Sequence, residues 1–128
     1  MSAKPPILLS IIELGGYPNF APLYERAGCQ VVVENSMRKA LAAVKKYQPR
    51  VVVAEFNFQS DFRDRTSSLE SLMSVVQRLP ATRVIVFYEK EYAHQLARLQ
   101  ACFPLFRVMA YPIEENELVT NVQAALAE

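Results

Sequence analysis

Few side chains in this sequence can do chemistry, and Glu55 is the best placed of them. It closes the apolar run Pro49-Arg50-Val51-Val52-Val53-Ala54-Glu55, with Phe56-Asn57-Phe58 behind it. A short apolar run bounded by a proline and a polar loop reads as a buried strand. In open α/β sheets, sites lie just beyond the carboxyl ends of the strands, where Glu55 falls. A carboxylate there can be a nucleophile, a cation ligand or a hydrogen-bond acceptor. The other candidates are weaker. His94, the single histidine, sits among polar residues of a helix, and no triad assembles around it. Cys29 and Cys102 have no His or Cys nearby in metal-ligand spacing, so both read as buried thiols in a reducing cytoplasm. Gly15-Gly16 lacks both the G-x-G-x-x-G and the G-x-x-x-x-G-K-[ST] spacing and reads as a turn. Tyr88 and Tyr111 end later strands with no nucleophile or base beside their phenols.

The elements that must position these groups alternate. Ile7 to Ile12 is a first buried strand. A helix from near Asn19 to Gly28 follows, with Pro22 tolerable in its first turn. Val31 to Val33 is the second strand, β-branched throughout. Ser36 caps the helix "MRKALAAVKKYQ", and Pro49 stops it before the third strand. Ser67 and Glu70 form a capping box for a helix running to about Leu79 and closed by Pro80. Val84 to Tyr88 is the fourth strand, and "EYAHQLARLQAC" is a helix with Tyr92, Leu96 and Leu99 as its apolar stripe. Arg107 to Tyr111 is the fifth strand, and Pro112 precedes a last helix carrying Leu118, Val122 and Leu126. Such alternation implies βαβ units and a parallel sheet with helices on both faces, an order that more than one fold family shares.

The totals set bounds. At 128 residues the chain is one domain, 1–128, large enough to bury a core. A formal net charge of +1 leaves no electrostatic footprint for nucleic acid or an anionic membrane. No apolar run approaches the ~20 residues that span a bilayer, and "ILLSII" is too short and lacks the cleavage site of a signal peptide.

"QPRVVVAEFNF" resembles the third strand of response-regulator receiver (CheY-like) domains, where "P-D-L-V-L-L-D" ends on the phosphoryl-accepting aspartate. "ALAAVKKYQPRVVVAEF" is similar to their second helix and third strand, "RVIVFY" to their fourth strand, and "YPIEENEL" to the "K-P-F-x-x-x-E-L" junction before their last helix. The resemblance covers nearly the whole chain and implies an α/β fold, a five-stranded parallel (βα)5 sheet with helices on both faces.

It also locates lost chemistry. In receivers an aspartate is the nucleophile, an acidic pair holds Mg²⁺, and a lysine and a small hydroxyl residue grip the phosphoryl oxygens. Glu55 stands at the acceptor position, Ile11 and Ile12 at the acidic pair, Tyr88 at the hydroxyl, and Tyr111, followed by Pro112, at the lysine. A one-residue slip of the first strand puts Glu13 at the second acidic position, and a Glu13–Glu55 pair then binds a divalent ion weakly. The preferred reading is a degenerate pseudo-receiver, with the fold kept and the phosphorelay switch removed. Tyr88 and Tyr111 are expected to fill the vacated space over the strand ends. Glu55 reads either as a built-in phosphoryl mimic or, preferably, as an ordinary strand-end carboxylate, since one carboxylate carries less charge than a phosphoryl group.

The function that follows is phosphorylation-independent protein–protein contact in bacterial-type two-component signal transduction, in the cytoplasm, without enzymatic turnover, metal or other cofactor. The partner is a protein regulator, kinase or effector; neither nucleic acid nor membrane is expected. The loop from Gln59 to Thr66, with Phe62, Arg63 and Arg65, is either a partner contact or an insertion. In receivers the face of the fourth helix, fifth strand and fifth helix dimerises or docks partners, and Phe103, Leu105 and Phe106 lie beside it in "ACFPLFRVM". The rival class is a small flavodoxin-like protein binding a nucleotide or flavin. A divergent receiver binding Mg²⁺ and phosphoryl at Glu13 and Glu55 is the remaining alternative.

Overall fold

The computed structural model describes residues 5–12, 20–56 and 69–127. Within them the chain runs β1 (Ile7–Ile11), α1 (Ala21–Arg26), β2 (Gln30–Glu34), α2 (Met37–Tyr47), β3 (Val51–Glu55), α3 (Leu69–Val76), β4 (Arg83–Tyr88), α4 (Ala93–Cys102), β5 (Arg107–Ala110) and α5 (Glu115–Ala127). The strands form one parallel sheet in the order β2-β1-β3-β4-β5. This is the receiver- and flavodoxin-like (βα)5 arrangement. β3 is central and buried along its whole length, which is why its sequence is a continuous apolar run rather than an alternation.

Side chains leave a strand alternately to either face, so the sheet divides the interior in two. Leu9, Ile11, Val52, Ala54, Val84 and Val86 pack on one side with Ala40, Val44, Leu72, Met73, Leu96 and Leu99 of α2, α3 and α4. Leu8, Val51, Val53, Ile85, Phe87 and Met109 pack on the other with Leu23 and Tyr24 of α1 and Leu118, Val122 and Ala125 of α5. At the amino end of the sheet, the buried Thr82 Oγ1 donates to Pro49 O at 2.7 Å, and Arg50 Nη2 donates to Leu126 O at 2.8 Å. The second bond ties the last turn of α5 to the start of β3.

Local signals act as their chemistry requires. Ser36 Oγ accepts from the Lys39 N–H at 3.2 Å and opens α2. Gln48 ends α2 in the left-handed region at φ 47. Gly28, at φ +100, lets the chain leave α1 for β2. Pro22 falls in the first turn of α1, as expected, whose N-cap is Phe20; Asn19 lies outside the described residues. So do Ser67, Gly15 and Gly16.

Three expectations need correction. α3 ends at Val76, short of Leu79, because tight turns from Leu79 N to Val76 O and Thr82 N to Leu79 O take over before β4. The fourth helix begins as a 3-10 turn, Lys90–Tyr92, before α4 proper. Cys29 is buried but Cys102 is exposed: Phe103, the next residue, turns inward onto the α2–α3–α4 core in its place.

Among the described residues, no helix is long and apolar enough to cross a membrane.

Candidate functional site

The strand order brings the carboxyl ends of β1, β3 and β4 together, and Glu55 lies at the centre of them. It is the last residue of β3, directly across from Phe87 on β4. Alternation from Val51 and Val53 sends its side chain to the α1–α5 side of the sheet. There it is only 4% exposed.

Most of the described residues around it are apolar. A cavity of about 10 Å³ beside it is lined by Ser10, Ile12, Phe20, Tyr24, Val53 and Phe87, among others. That is at the threshold for a single water. Phe20 meets Phe87 edge-on, with centroids 5.8 Å apart and planes at 86°. Burial, reinforced by Cys29, raises the Tyr24 phenol well above its ordinary value, and burial also raises the Cys29 thiol. Both groups are therefore protonated at neutral pH, so neither supplies a thiolate or phenolate nucleophile here.

The acidic-pair positions hold hydrocarbon. Ile11 is 2% exposed and packs on the α2–α3–α4 core. Ile12 follows β1; its N–H donates to Glu34 O, and its carbonyl accepts from Asn35 Nδ2 at 3.1 Å. Continuing the pairing of Ser10 with Val53 sets Ile12 across from Glu55. Among the described residues, no group of three or more His, Cys, Asp or Glu side chains is placed to hold a metal ion. The donor set that the described residues offer at these strand ends does not fit Mg²⁺, which needs several oxygen ligands in octahedral geometry. Glu13 lies outside the described residues, as does the whole segment carrying Phe62, Arg63 and Arg65.

Of the two tyrosines, Tyr88 does not plug the site. Tyr88, one residue past Phe87, points to the opposite face and packs half-buried on the α2–α3–α4 core. Tyr111 follows β5, is 38% exposed, and is joined to Pro112 by a cis peptide bond. Phe20, Phe87 and Ile12 supply bulk around Glu55. Sequence reasoning missed Phe20 and Phe87; the signal for Phe87 is that it shares alternation parity with Val53 and Glu55 once β3 and β4 are in register.

The segment expected to carry an apolar patch straddles the sheet edge. Phe103 and Leu105 pack on one core and Phe106 on the other, all half-buried. The Arg107 guanidinium lies 4.3 Å from the centre of the Phe106 ring. His94 is exposed on α4.

No family model matches the chain, and no curated protein matches it significantly. Solved structures do. A response regulator receiver domain protein from Clostridium thermocellum superposes with a TM-score of 0.76 at 17% identity, over 95% of this chain and 94% of the other. The signal receiver domain of an HD domain-containing protein from Pseudomonas fluorescens Pf-5 gives 0.77 at 15% identity, over 97% and 96%. The Vibrio cholerae chemotaxis protein CheY4 gives 0.74 at 14% identity, over 95% and 99%. At these identities the likeness is one of fold, and the fold is that of receiver domains.

Proposed function

We propose that this chain is a phosphorylation-independent receiver-like domain that acts through protein–protein contact in two-component-type signal transduction. The observation that carries the reading is the environment of Glu55. At the position where receivers keep their acceptor, the carboxylate is 4% exposed, faces Phe87, and borders a cavity of about 10 Å³. A phosphoryl group with its Mg²⁺ needs many times that space, and Ile11 and Ile12 replace the oxygen ligands it would require.

The mechanism is constant presentation of a docking surface, with no turnover and no switch. The face formed by α4, β5 and α5 is the proposed contact for a protein partner. Arg107 stacked on Phe106, with the exposed Tyr111 at the strand end, supplies the planar cationic and aromatic groups that dominate interfaces. A cytoplasmic setting belongs to the same proposal. A flavin or nucleotide would need a pocket of roughly 300 Å³ or more, against the cavity of about 10 Å³ beside Glu55 among the described residues.

An amide NMR titration with Mg²⁺ and then with beryllofluoride tests the reading. Unchanged resonances for Ile11, Ile12, Glu55, Phe87 and Tyr111 are expected. Saturable shifts there, spreading into α4 and β5, would overturn it in favour of a divergent receiver using Glu13 and Glu55.

A further inference from the structure

Among the described residues the sheet has two open edges, and they differ in chemistry. β5 begins with Arg107 and is followed by Pro112, both features that discourage strand pairing. β2 reads Gln30-Val31-Val32-Val33-Glu34, with no proline, no lysine or arginine, and an unbroken register against β1. Val33 is 44% exposed, the most exposed large hydrophobic residue described.

Backbone geometry says which groups lie along that edge. The Gln30 N–H donates to Pro6 O and the Glu34 carbonyl accepts from Ile12 N–H, so both residues turn their backbone polar groups toward β1. In a parallel ladder these groups alternate sides residue by residue. Those of Val32 therefore also face β1, and the N–H and C=O of Val31 and Val33 face outward.

We infer that the β2 edge pairs with β2 of a second copy of this chain, antiparallel about a two-fold axis at Val32. In that register Val31 of one copy stands opposite Val33 of the other, and each outward N–H meets an outward C=O. No other register satisfies both valines with each other. The same register sets Gln30 opposite Glu34 of the partner, an amide donor against a carboxylate, in the closely spaced positions where cross-strand side chains interact most. The edge is thus complementary to itself in backbone and side-chain hydrogen bonding, as an isologous contact requires. A second copy bound here extends the sheet across both molecules. Because β2 and β5 are opposite edges, it leaves the α4–β5–α5 face open in each.

Sedimentation equilibrium of the full chain, from low micromolar to near-millimolar concentration, tests the pairing alongside Val33→Lys, Gln30→Glu and Gln30→Lys. The expected result is a reversible dimer. Val33→Lys and Gln30→Glu raise its Kd by roughly tenfold or more, whereas Gln30→Lys, which sets an ammonium against Glu34, lowers it. Gln30 and Val33 are exposed, and circular dichroism confirms that each variant is folded. Hydrogen exchange supplies the second readout: the Val31 and Val33 amides gain protection as concentration rises, while the Val32 amide is protected throughout. A monomer across the whole range would overturn the inference. So would a dimer indifferent to all three variants, or one that protects β5 amides in place of Val31 and Val33.

Discussion

Glu55 and Phe87 face each other across the ends of β3 and β4, each only 4% exposed. A buried carboxylate at the end of β3 thus lies beside a phenyl ring, which a second ring, Phe20, meets edge-on. On the proposed reading the barrier to phosphoryl chemistry is steric as well as compositional, because restoring the nucleophile leaves the wall of Phe87 in place.

Glu55→Asp therefore remains unphosphorylated. After incubation with acetyl phosphate and Mg²⁺, intact-mass spectrometry should show no phosphoryl-sized increase. Shortening the buried side chain by one methylene should lower stability by about 1 kcal/mol. A stoichiometric adduct would contradict the proposed function.

Phe87→Ala removes the wall. Deleting a buried phenyl ring costs about 3–5 kcal/mol, read as a fall in the urea midpoint. A double-mutant cycle with Phe20→Ala should return a coupling of about 0.5–1.5 kcal/mol for the edge-on pair. A coupling near zero would mean that the two rings fill space independently.

Ser36→Ala leaves the Lys39 N–H without its side-chain acceptor at the start of α2. A loss of about 1 kcal/mol is expected, with an unchanged denaturant slope, because the cap affects stability without altering the surface exposed on unfolding. Ser74→Ala, on an exposed turn of α3, serves as the control and should change little.

Alkaline pH should destabilise the fold through Tyr24 and Cys29. Burial raises both above their ordinary values of 10.0 and 9.0. The folded state holds these protons to higher pH than the unfolded chain does, so their contribution is complete below about pH 9. It declines as pH rises past the unfolded values, at up to about 1.4 kcal/mol per pH unit for each group. Melting temperature measured from pH 8 upward should fall less steeply in Tyr24→Phe; equal slopes would assign the loss to other groups.

Much of this fold is legible in the sequence because its signals are local. Continuous apolar runs mark β1 and β3, Ser36 opens α2, Gly28 ends the turn after α1, and Pro49 separates α2 from β3. Glu55 is placed at a strand end by the same reading. What stayed hidden depends on register and on neighbours. Val31-Val32-Val33 and Val51-Val52-Val53 look alike in composition, yet the first lies on an edge and the second at the centre. Only the pairing of β3 with β4 shows that Phe87, and not Tyr88, shares the face of Glu55. Cys102 is exposed because Phe103 takes the inward position, a competition that composition cannot rank.

The division of the interior by the sheet also bears on how the protein is made. Every described buried residue of the α2–α3–α4 core lies at or before Leu99, so that side can close while the last helix is still within the ribosome. The other side begins with Leu8 but needs Leu118, Val122 and Ala125. A nascent chain halted before α5 would carry one finished core and, on the reverse of the same strands, an uncovered apolar surface of Leu8, Val51, Val53 and Ile85, the kind of surface that chaperones bind.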